Sequence, residues 1–547
     1  MLFIALAFVL FLMWQEWQKD YGPKPLVVPP EQIATERGSE ESPAAPSSTF
    51  TSDKPASAPP VSSSGDAPPS QSRAQEPSGT LIEATTDLMS LRIDTRGGTL
   101  KQLDLNKHRV SIELDSDAFR LLNDELPNIF IAQSGLLGEG LPDDTALYEV
   151  RKTEFVLAPG AEELEVPMTW RSASGIEVRK VFRLRRDSYE IEVRHELVNG
   201  SPTAVRAEMF GQFKRTQVVE DGNVFIHTYM GGVLSSAEEP YDKIDFADMA
   251  ERDIKRTVEG GWAAMIQHYF VGAWLPSPEQ QNHYYTYASP RAEYIIGVIT
   301  PPLMVKPGAT GALSINAYIG PKDQARMTAA APGLERTVDY GFLFFIAQPL
   351  FWALLFINNV IGNWGWSIIV LTFLIKLAFF HLSATSYRSM ARMRKLTPKL
   401  TALRDRHGDD RQKLNQAMME LYKAEKINPL GGCWPILVQI PVFISLYWVL
   451  LESVELRHAP FMFWLDDLSS HDPYFVLPVL MGVSMIIQQR LNPTPPDPMQ
   501  AKIMMALPFI FTFFFLWFPS GLVLYWLVNN ILSIGQQWVI TKKIEAE

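Results

Sequence analysis

A single basic residue stands inside an apolar run that is long enough to cross a bilayer. Residues 365–384 read GWSIIVLTFLIKLAFFHLSA, and the lysine in this run is Lys376. A charge at the depth of the hydrocarbon costs several kcal/mol, from about 2.5 upward. Two interpretations stay open at this point. The long stem of Lys376 could let the ammonium group snorkel to the headgroups, or the ammonium could line a water-filled groove in the inner leaflet.

Further polar residues occur in the same kind of apolar context. Thr372 lies four residues before Lys376, so the two side chains share one face of a helix. Gln439, Asn529 and Asn530 also stand inside apolar runs. Polar side chains at membrane depth usually face the interior of a helix bundle or a wet cavity. These residues are candidates for a polar groove with Lys376 as its cation.

A basic segment at 384–427 carries the pattern of a helical hairpin. Two sets of apolar residues repeat at helical spacing: Leu396, Leu400, Leu403 and then Leu414, Met418, Leu421. Between the sets lies RHGDD, in which Gly408 is a natural helix stop and either Asp409 or Asp410 a natural N-cap. The pattern predicts two antiparallel helices.

The many lysines and arginines of this hairpin, Arg394 among them, predict a cytoplasmic position by the positive-inside rule. One interpretation is that these charges only fix the topology. The other is that the hairpin contacts a partner or substrate, because methionines such as Met418 adapt to varied apolar surfaces.

Composition argues against several function classes. The formal net charge of −11 argues against a nucleic-acid site, which normally shows a basic patch. Cys433 is the one cysteine, so no internal disulfide can form. We find no nucleotide-binding motif, metal-ligand spacing, paired carboxylates or nucleophile motif. The sequence therefore predicts a protein that is not an enzyme and needs no cofactor.

The N-terminal 80 residues divide into two segments. Residues 1–20 contain the apolar run Leu2–Trp14, which predicts a transmembrane signal anchor. A cleaved signal peptide is the alternative, but no basic residues precede the run and no A-x-A-like site follows it. Residues 21–80 are rich in Pro, Ser and Ala and predict a disordered tether.

Residues 81–335 contain many short β-type runs between turn residues. In EVRKVFRLRR, for example, one face of a strand receives Val178, Lys180 and Phe182. Many short strands at regular spacing predict an antiparallel sandwich in one large domain. A scaffold without chemistry and a sugar or peptide binder are both open for this domain.

Long apolar runs dominate from Asp339 onward. Residues 339–362, interrupted by Pro349, predict an amphipathic helix in the membrane interface. Residues 363–547 contain five candidate spans: about Trp366–Leu382, Pro435–Leu451, Tyr474–Ile487 and the two parts of Ile503–Leu532, which WFPSG divides. With a cytoplasmic hairpin, alternation places both chain termini in the cytoplasm and the β domain outside.

Four long motifs occur in the second half of the chain: NWGWSIIVLTFLIK, HGDDRQKLNQAMMELYKAEKINPLGGCWPILVQIPVF, DPYFVLPVLMG and FFFLWFPSGLVLYW. These motifs resemble those of the YidC/Oxa/Alb family of membrane protein insertases. TRGGTL and GGWAAMIQHYFVGAWLP resemble the form found in Gram-negative bacteria, which has a large periplasmic domain. The resemblance covers nearly the whole chain.

The resemblance implies a multi-domain fold. A five-span α-helical membrane bundle with an N-terminal anchor would carry a periplasmic antiparallel β-super-sandwich, similar to sugar-mutarotase folds. It also implies a multi-pass protein of the bacterial inner membrane that inserts and folds other membrane proteins, alone or with the Sec translocon. The spans would enclose a hydrophilic groove open to the cytoplasm and the lipid and closed toward the periplasm.

The resemblance also assigns residues. Lys376 aligns with the arginine that is the usual groove cation of the family, so this chain departs in residue type and keeps the charge. Positions that line the groove or contact substrate in the family are matched by Thr372, Trp517, Tyr525 and Trp526. Gln439 and Asn529 join this groove set from their positions inside apolar runs. Residues 384–427 correspond to the cytoplasmic loop of the family.

The partners implied are nascent membrane proteins, membrane lipids, and the Sec translocon with its accessory subunits. The ribosome is a further candidate, but the chain ends at TKKIEAE without the long basic tail that some members use there. Docking through such a tail is therefore not expected.

Two other functions are alternatives to a membrane protein insertase. A secondary transporter would use the broken apolar segments NPLGGCWPILVQIP and FPSG as a midplane site. Against it, neither half repeats the other and the spans hold no acidic residue for ion coupling. A sugar-binding sensor would need a cytoplasmic output domain, and the hairpin is too small to be one.

Overall fold

The structure is a computed structural model that describes residues 79–113, 115–217, 228–407, 410–425, 434–492 and 498–546. The predicted anchor at 1–20 and all but the last two residues of the predicted tether at 21–80 lie outside these ranges. Those two predictions stay untested.

The described part of residues 81–321 contains nineteen strands. Their bounds are β1 Leu81–Thr85, β2 Met89–Asp94, β3 Thr99–Arg109, β4 Ala118–Leu122, β5 Phe130–Leu137, β6 Glu154–Val156, β7 Glu163–Arg171, β8 Ile176–Arg185, β9 Glu190–Asn199, β10 Val205–Thr216, β11 Gly231–Ser235, β12 Asp242–Ile244, β13 Lys255–Glu259, β14 Trp262–Gln267, β15 Phe270–Leu275, β16 Gln281–Ala288, β17 Glu293–Ile299, β18 Leu303–Val305 and β19 Thr310–Pro321.

The strands make two sheets. The larger has the order β13-β16-β17-β10-β5-β3-β2-β1-β6, with β18 beside β10 and β4 beside β3; the smaller has the order β12-β11-β14-β15-β19-β9-β8-β7. Among the described strands β1 and β6 pair in parallel, and the other strand pairs are antiparallel. The alternation predicted for β8 is present, since Val178, Lys180 and Phe182 are all buried.

The two sheets pack face to face. Phe213 of the larger sheet meets Trp274 of the smaller at 5.5 Å between ring centroids. A Cβ on Gly211 would lie 2.7 Å from the Trp274 ring, so the close approach of the sheets requires glycine there. The prediction of packed antiparallel sheets is confirmed, and the likeness to a super-sandwich stays a prediction.

Ten α-helices are described. They are α1 Phe246–Glu251, α2 Gln324–Ala330, α3 Phe344–Ile361, α4 Trp364–Ala378, α5 Phe380–His407, α6 Arg411–Ala424, α7 Trp434–Glu452, α8 Val476–Leu491, α9 Pro498–Phe514 and α10 Ser520–Ala546. The last eight make the helical half of the molecule. Within it α10 is central, because it packs against α4, α5, α7 and α8, while α3 packs against α4 and α7.

The helices agree with the predicted spans except at one point. The run Ile503–Leu532 is broken, as predicted, by a 3₁₀ turn at Phe515–Trp517 before α10 begins at Ser520. The predicted span Trp366–Leu382, however, is not one straight helix. α4 ends at Ala378 and α5 leaves it at an angle of 68°. Lys376 therefore lies in the last turn of α4, not inside a straight helix that continues to Leu382.

Helix length and composition bear on the membrane prediction. In the described part of the chain, Gly341–Ile361 is long and apolar enough to cross a bilayer, and the bent pair α4–α5 meets the same requirement if it is one span. Val438–Glu452, α8 and Ala501–Trp517 are apolar but shorter. The interfacial position predicted for residues 339–362 and the count of five spans stay predictions.

Candidate functional site

Lys376 is buried in the helical half, with 8% of the residue exposed. Its ammonium group donates a hydrogen bond to the Ser533 hydroxyl on α10 at 2.8 Å. Ser533 in turn donates to the backbone carbonyl of Asn529 at 2.6 Å. No carboxylate of the described residues lies within ion-pair distance of the ammonium. A lysine ammonium has three donors, so the contacts seen leave donors that a ligand could use.

The residue that contacts Lys376, Ser533, shares a face of α10 with two predicted groove residues. Tyr525, Asn529 and Ser533 are spaced by four residues and therefore share a face. Tyr525 is buried and stacks on Phe443 of α7 at 5.9 Å. The partner of Lys376 on this face is Ser533, which no pattern of the sequence indicated, and the predicted groove role of Asn529 stays a prediction.

Neighbouring polar contacts extend along α10. Asn530 donates to the Ser484 hydroxyl of α8 at 3.0 Å, and Gln537 donates to Asn492 at 2.9 Å. The buried Oε1 of Gln537 has no hydrogen-bond partner among the described residues. Polar contacts inside this half are therefore carried mainly by α10, its central helix.

The remaining groove candidates are less directly connected to the ammonium. Thr372 is buried one turn before Lys376, and its hydroxyl donates to the Ile368 carbonyl of its own helix at 2.6 Å. Gln439 is half-buried on α7. Their predicted roles in a groove stay predictions.

The two tryptophans belong to an aromatic cluster instead of the polar face. Trp526 is half-buried and meets Phe443, Phe511 and Phe515 at 4.5, 5.9 and 5.0 Å. Trp517 is 39% exposed and packs edge-on against Phe513 at 4.9 Å. The structure does not place either beside Lys376.

The predicted hairpin is formed by α5 and α6. Asp410 is the N-cap of α6, accepting hydrogen bonds from the backbone N–H groups of Gln412 and Lys413. Gly408 and Asp409 lie outside the described residues. Lys399 joins the two helices through an ion pair with Glu425 at 2.6 Å.

Residues of the predicted apolar stripes are buried or half-buried, and the Lys399–Glu425 pair brings the C-terminal end of α6 back to α5. Leu396 and Leu400 are buried on α5, and Met418 is half-buried on α6. Arg394 is exposed. The antiparallel arrangement is confirmed, and the role of these residues stays a prediction.

Two further buried lysines were not recognised from the sequence. Lys180, fully buried in the β domain, donates to the carbonyls of Gly97, Gly98 and Ser134 at 2.7, 3.2 and 2.7 Å. Gly97 and Gly98 have φ of 68° and 60°, and this left-handed backbone is open mainly to glycine. The TRGGTL motif thus builds a carbonyl site for a lysine that lies 83 residues after Gly97, and no local signal reveals this contact.

The other buried lysine joins the two halves of the molecule. Lys322, just after β19, forms an ion pair with Glu452 at the end of α7 at 3.7 Å, and both side chains are almost fully buried. Burial lowers the pKa of Lys322, and the Glu452 carboxylate opposes this shift. Beside the pair, the His268 ring meets the Leu451 carbonyl at 2.9 Å. Burial lowers the pKa of His268 to about 3, so this ring is neutral.

The described residues contain no group of three or more histidine, cysteine or carboxylate side chains that could hold a metal ion. What the Lys376 site offers is a buried ammonium group beside the Ser533 hydroxyl. Such a set can bind an anionic or polar segment by charge and hydrogen bonding.

Residues 81–353 match the family described as YidC periplasmic domain, and residues 356–547 match the family described as 60Kd inner membrane protein. The chain is 48% identical over 549 residues to the membrane protein insertase YidC of Nitrosococcus oceani, and 50% identical over 552 residues to that of Azotobacter vinelandii. Each alignment covers 100% of this chain and 98% of the relative. These matches favour the insertase interpretation over the transporter alternative. Two family matches that together span most of the chain, and relatives this similar over their full length, show that the chain belongs to the YidC family of membrane protein insertases.

Proposed function

We propose that this chain inserts and folds proteins of the bacterial inner membrane through a polar groove bounded by α4, α5 and α10, with the Lys376 ammonium as its cation. The observation that carries the proposal is the small number of hydrogen-bond and charged partners around the Lys376 ammonium. Lys376 is buried, donates to Ser533, and faces no carboxylate of the described residues. A cation held in this way has charge and donors available for an incoming segment.

Such a groove shortens the distance over which a hydrophilic segment is surrounded only by hydrocarbon. A hydrophilic segment that crosses hydrocarbon leaves polar groups unsatisfied, at several kcal/mol each. Polar groups on α10 and Lys376 offer that segment partners partway across. At 4 Å and an effective dielectric constant near 20, a carboxylate gains about 4 kcal/mol beside the ammonium. The apolar helix of the substrate then partitions into lipid, which supplies the driving force.

The surface of the helical half supports a membrane position. Large apolar side chains are exposed along three helices: Trp352, Phe356 and Val360 of α3, Val479, Leu480 and Val483 of α8, and Met505, Phe509 and Phe513 of α9. Contiguous apolar surface of this kind marks contact with lipid or with another protein. With the hairpin in the cytoplasm, the β domain lies in the periplasm and the C-terminus in the cytoplasm.

The two regions outside the bundle suggest partners. The α5–α6 hairpin presents basic and methionine side chains on the side where nascent chains emerge, so it would receive the substrate. The β domain extends into the periplasm, where it would contact the Sec translocon and its accessory subunits.

The test is insertion into proteoliposomes that contain only this protein. The readout is protease protection of a short membrane-protein substrate with an acidic translocated end. We expect the unmodified chain to insert well above empty liposomes, and Lys376→Met to insert poorly because the segment loses its cation. Lys376→Arg should restore insertion.

The matched control is Lys502→Met, which removes an exposed lysine from α9, and the same substrate with a neutral translocated end. The control variant should insert normally, and the neutral substrate should not depend on Lys376. Full insertion by Lys376→Met would contradict the role of the cation. No insertion by folded, correctly oriented protein would contradict the proposed function itself.

A further inference from the structure

A cavity of about 530 Å³ lies between the β domain and the helical half, away from the groove. It is formed where the end of β3 and the residues that follow it meet the loop between α7 and α8. Its charged and titratable lining consists of Lys107, His108, Arg109, Arg457, His458 and Asp466. Basic groups therefore dominate a cavity that the proposed function does not use.

Arg457 is the fixed element of this cavity. It donates to the Val110 carbonyl at 3.3 Å, and its guanidinium lies 5.5 Å from the Phe119 ring centroid and 5.7 Å from that of Phe270. No carboxylate of the described residues lies within ion-pair distance of it. Burial, and then the charges of Arg457 and His458, lower the pKa of His108 to about 4. Among the groups that line the cavity, three are lysine or arginine side chains and one, Asp466, is a carboxylate, so cations outnumber anions there.

Exposed apolar side chains, here called the apolar rim, occur on the two chain segments that line this cavity. Ile112 lines the cavity and is 52% exposed, its near neighbour Val110 is 58% exposed, and Phe463, in the loop that carries Pro460 and Asp466, is 82% exposed. The loop that carries Phe463 also carries Phe461, which packs on Trp366 at the start of α4 at 5.6 Å. Aromatic side chains gathered at helix ends are typical of the membrane–water interface. Cations beside apolar groups at this depth match a lipid, whose headgroup and chains meet there.

We propose that this cavity binds the phosphodiester headgroup of an anionic phospholipid from the periplasmic leaflet, with the acyl chains against the apolar rim. Arg457 and Lys107 contact the phosphate by charge and hydrogen bonds, and His108 supplies a neutral polar edge. The leaflet assignment rests on the topology given under the proposed function. The binding of the lipid does not depend on this topology, because all the residues of the cavity belong to one chain. An acidic peptide is less favoured, because it has no use for the exposed apolar rim.

The experiment is native mass spectrometry of the full chain in detergent, titrated with phosphatidylglycerol or with phosphatidylcholine of the same acyl chains. The test variant is Lys107→Gln/Arg457→Gln. The matched control is Arg171→Gln/Arg206→Gln, which removes two exposed arginines at the end of the sheets far from the helices. We expect tighter binding of phosphatidylglycerol, a loss of roughly tenfold or more in the test variant, and no change in the control.

Two further variants separate binding from folding. Lys107→Arg/Arg457→Lys keeps both charges and should keep phosphatidylglycerol binding. Lys107→Gln alone changes an exposed side chain and should weaken binding by roughly threefold.

Four results would overturn the proposal. The first is equal affinity for the two lipids, and the second is an unchanged affinity in folded test variants. The third is displacement of the lipid by millimolar inorganic phosphate, which would make the cavity a site for free anions. The fourth is displacement by an acidic peptide that binds more tightly than the lipid, which would make it a peptide site. None of these results depends on insertion activity, so the proposed function would stand or fall separately.

Discussion

The β domain and the helical half each bury a lysine, but they treat it differently. In the β domain Lys180 meets three backbone carbonyls, one for each of its donors. In the helical half Lys376 meets one serine hydroxyl. Both residues are buried, so burial alone does not separate them. The number of partners does.

A buried charge with all its partners stabilises one structure, because leaving any donor or acceptor unpaired costs free energy. A buried charge with few partners destabilises the folded protein unless a ligand or water completes it. The comparison therefore favours a structural role for Lys180 and supports the binding role proposed for Lys376. The Lys322–Glu452 pair belongs with Lys180, because its partner is built into the fold.

The largest effect on stability is expected from Lys180→Met. The substitution keeps the approximate length of the side chain and leaves three buried carbonyls without their donor, at about 1 kcal/mol or more each. We expect the melting temperature of the β domain to fall by roughly 6 °C or more. The measurement is differential scanning fluorimetry of the full chain in detergent. Lys255→Met, at an exposed position on β13, is the control and should melt normally; equal melting of the two variants would contradict the structural role.

A smaller loss is expected when the junction pair is broken. Glu452→Gln leaves Lys322 buried without its charged partner, which should destabilise the protein by about 3 kcal/mol. Replacing both residues, as Lys322→Met/Glu452→Leu, should recover most of this loss. The control is Arg326→Met, which breaks the more exposed pair with Asp187 and should cost less than about 1 kcal/mol. The measurement is the same melting experiment. A loss of stability in Glu452→Gln no larger than that in Arg326→Met would show that the Lys322–Glu452 pair does not anchor the junction.

The sequence predicted helices and strands better than it predicted which side chains contact one another. Alternation in β8 placed Lys180 on the same face as Val178, and helical spacing in the hairpin placed Leu396 and Leu400 on the buried side. Both patterns arise from the local period of the backbone. Asp410 as an N-cap follows from local chemistry in the same way.

What could not be predicted depends on chain segments far apart. Ser533 is 157 residues from Lys376, and Glu452 is 130 residues from Lys322. No period of the sequence connects such residues. The bend after α4 is another case, because Phe379 lies between α4 and α5 and the sequence there has neither proline nor glycine to announce a kink.

A third substitution tests the contrast directly. Lys376→Met makes the same chemical change as Lys180→Met, but it frees one hydroxyl instead of three carbonyls and removes an unbalanced buried cation. We expect the melting temperature to change by less than the equivalent of about 1 kcal/mol, or to rise. The measurement is the melting experiment described for Lys180→Met, carried out on the Lys376→Met variant that we expect to insert poorly. A loss as large as that of Lys180→Met would make Lys376 a structural residue and would explain a loss of insertion without any groove.

A last effect concerns a carboxyl group at the junction and appears as a pH dependence. Glu455 follows α7, and its buried Oε2 has no hydrogen-bond partner among the described residues. Burial, and then the charge of Asp323, raise the pKa of Glu455 from 4.5 to about 7. Between these two values the folded protein holds a proton that the unfolded chain has released. The contribution of Glu455 to stability is therefore complete below about pH 4.5 and is lost as the pH rises through about 7.

Glu455→Gln removes the titrating group and keeps a neutral side chain of the same size. We expect the melting temperature of the unmodified chain, relative to this variant, to fall between about pH 5 and about pH 8. Other titrating groups, such as Asp144 with its pKa raised by burial to about 6, are present in both proteins and cancel in the difference. A difference that does not vary with pH would show that Glu455 is hydrated and ionised in the folded protein. The junction would then share with Lys376, and not with Lys180, the property of a charge left open to its surroundings.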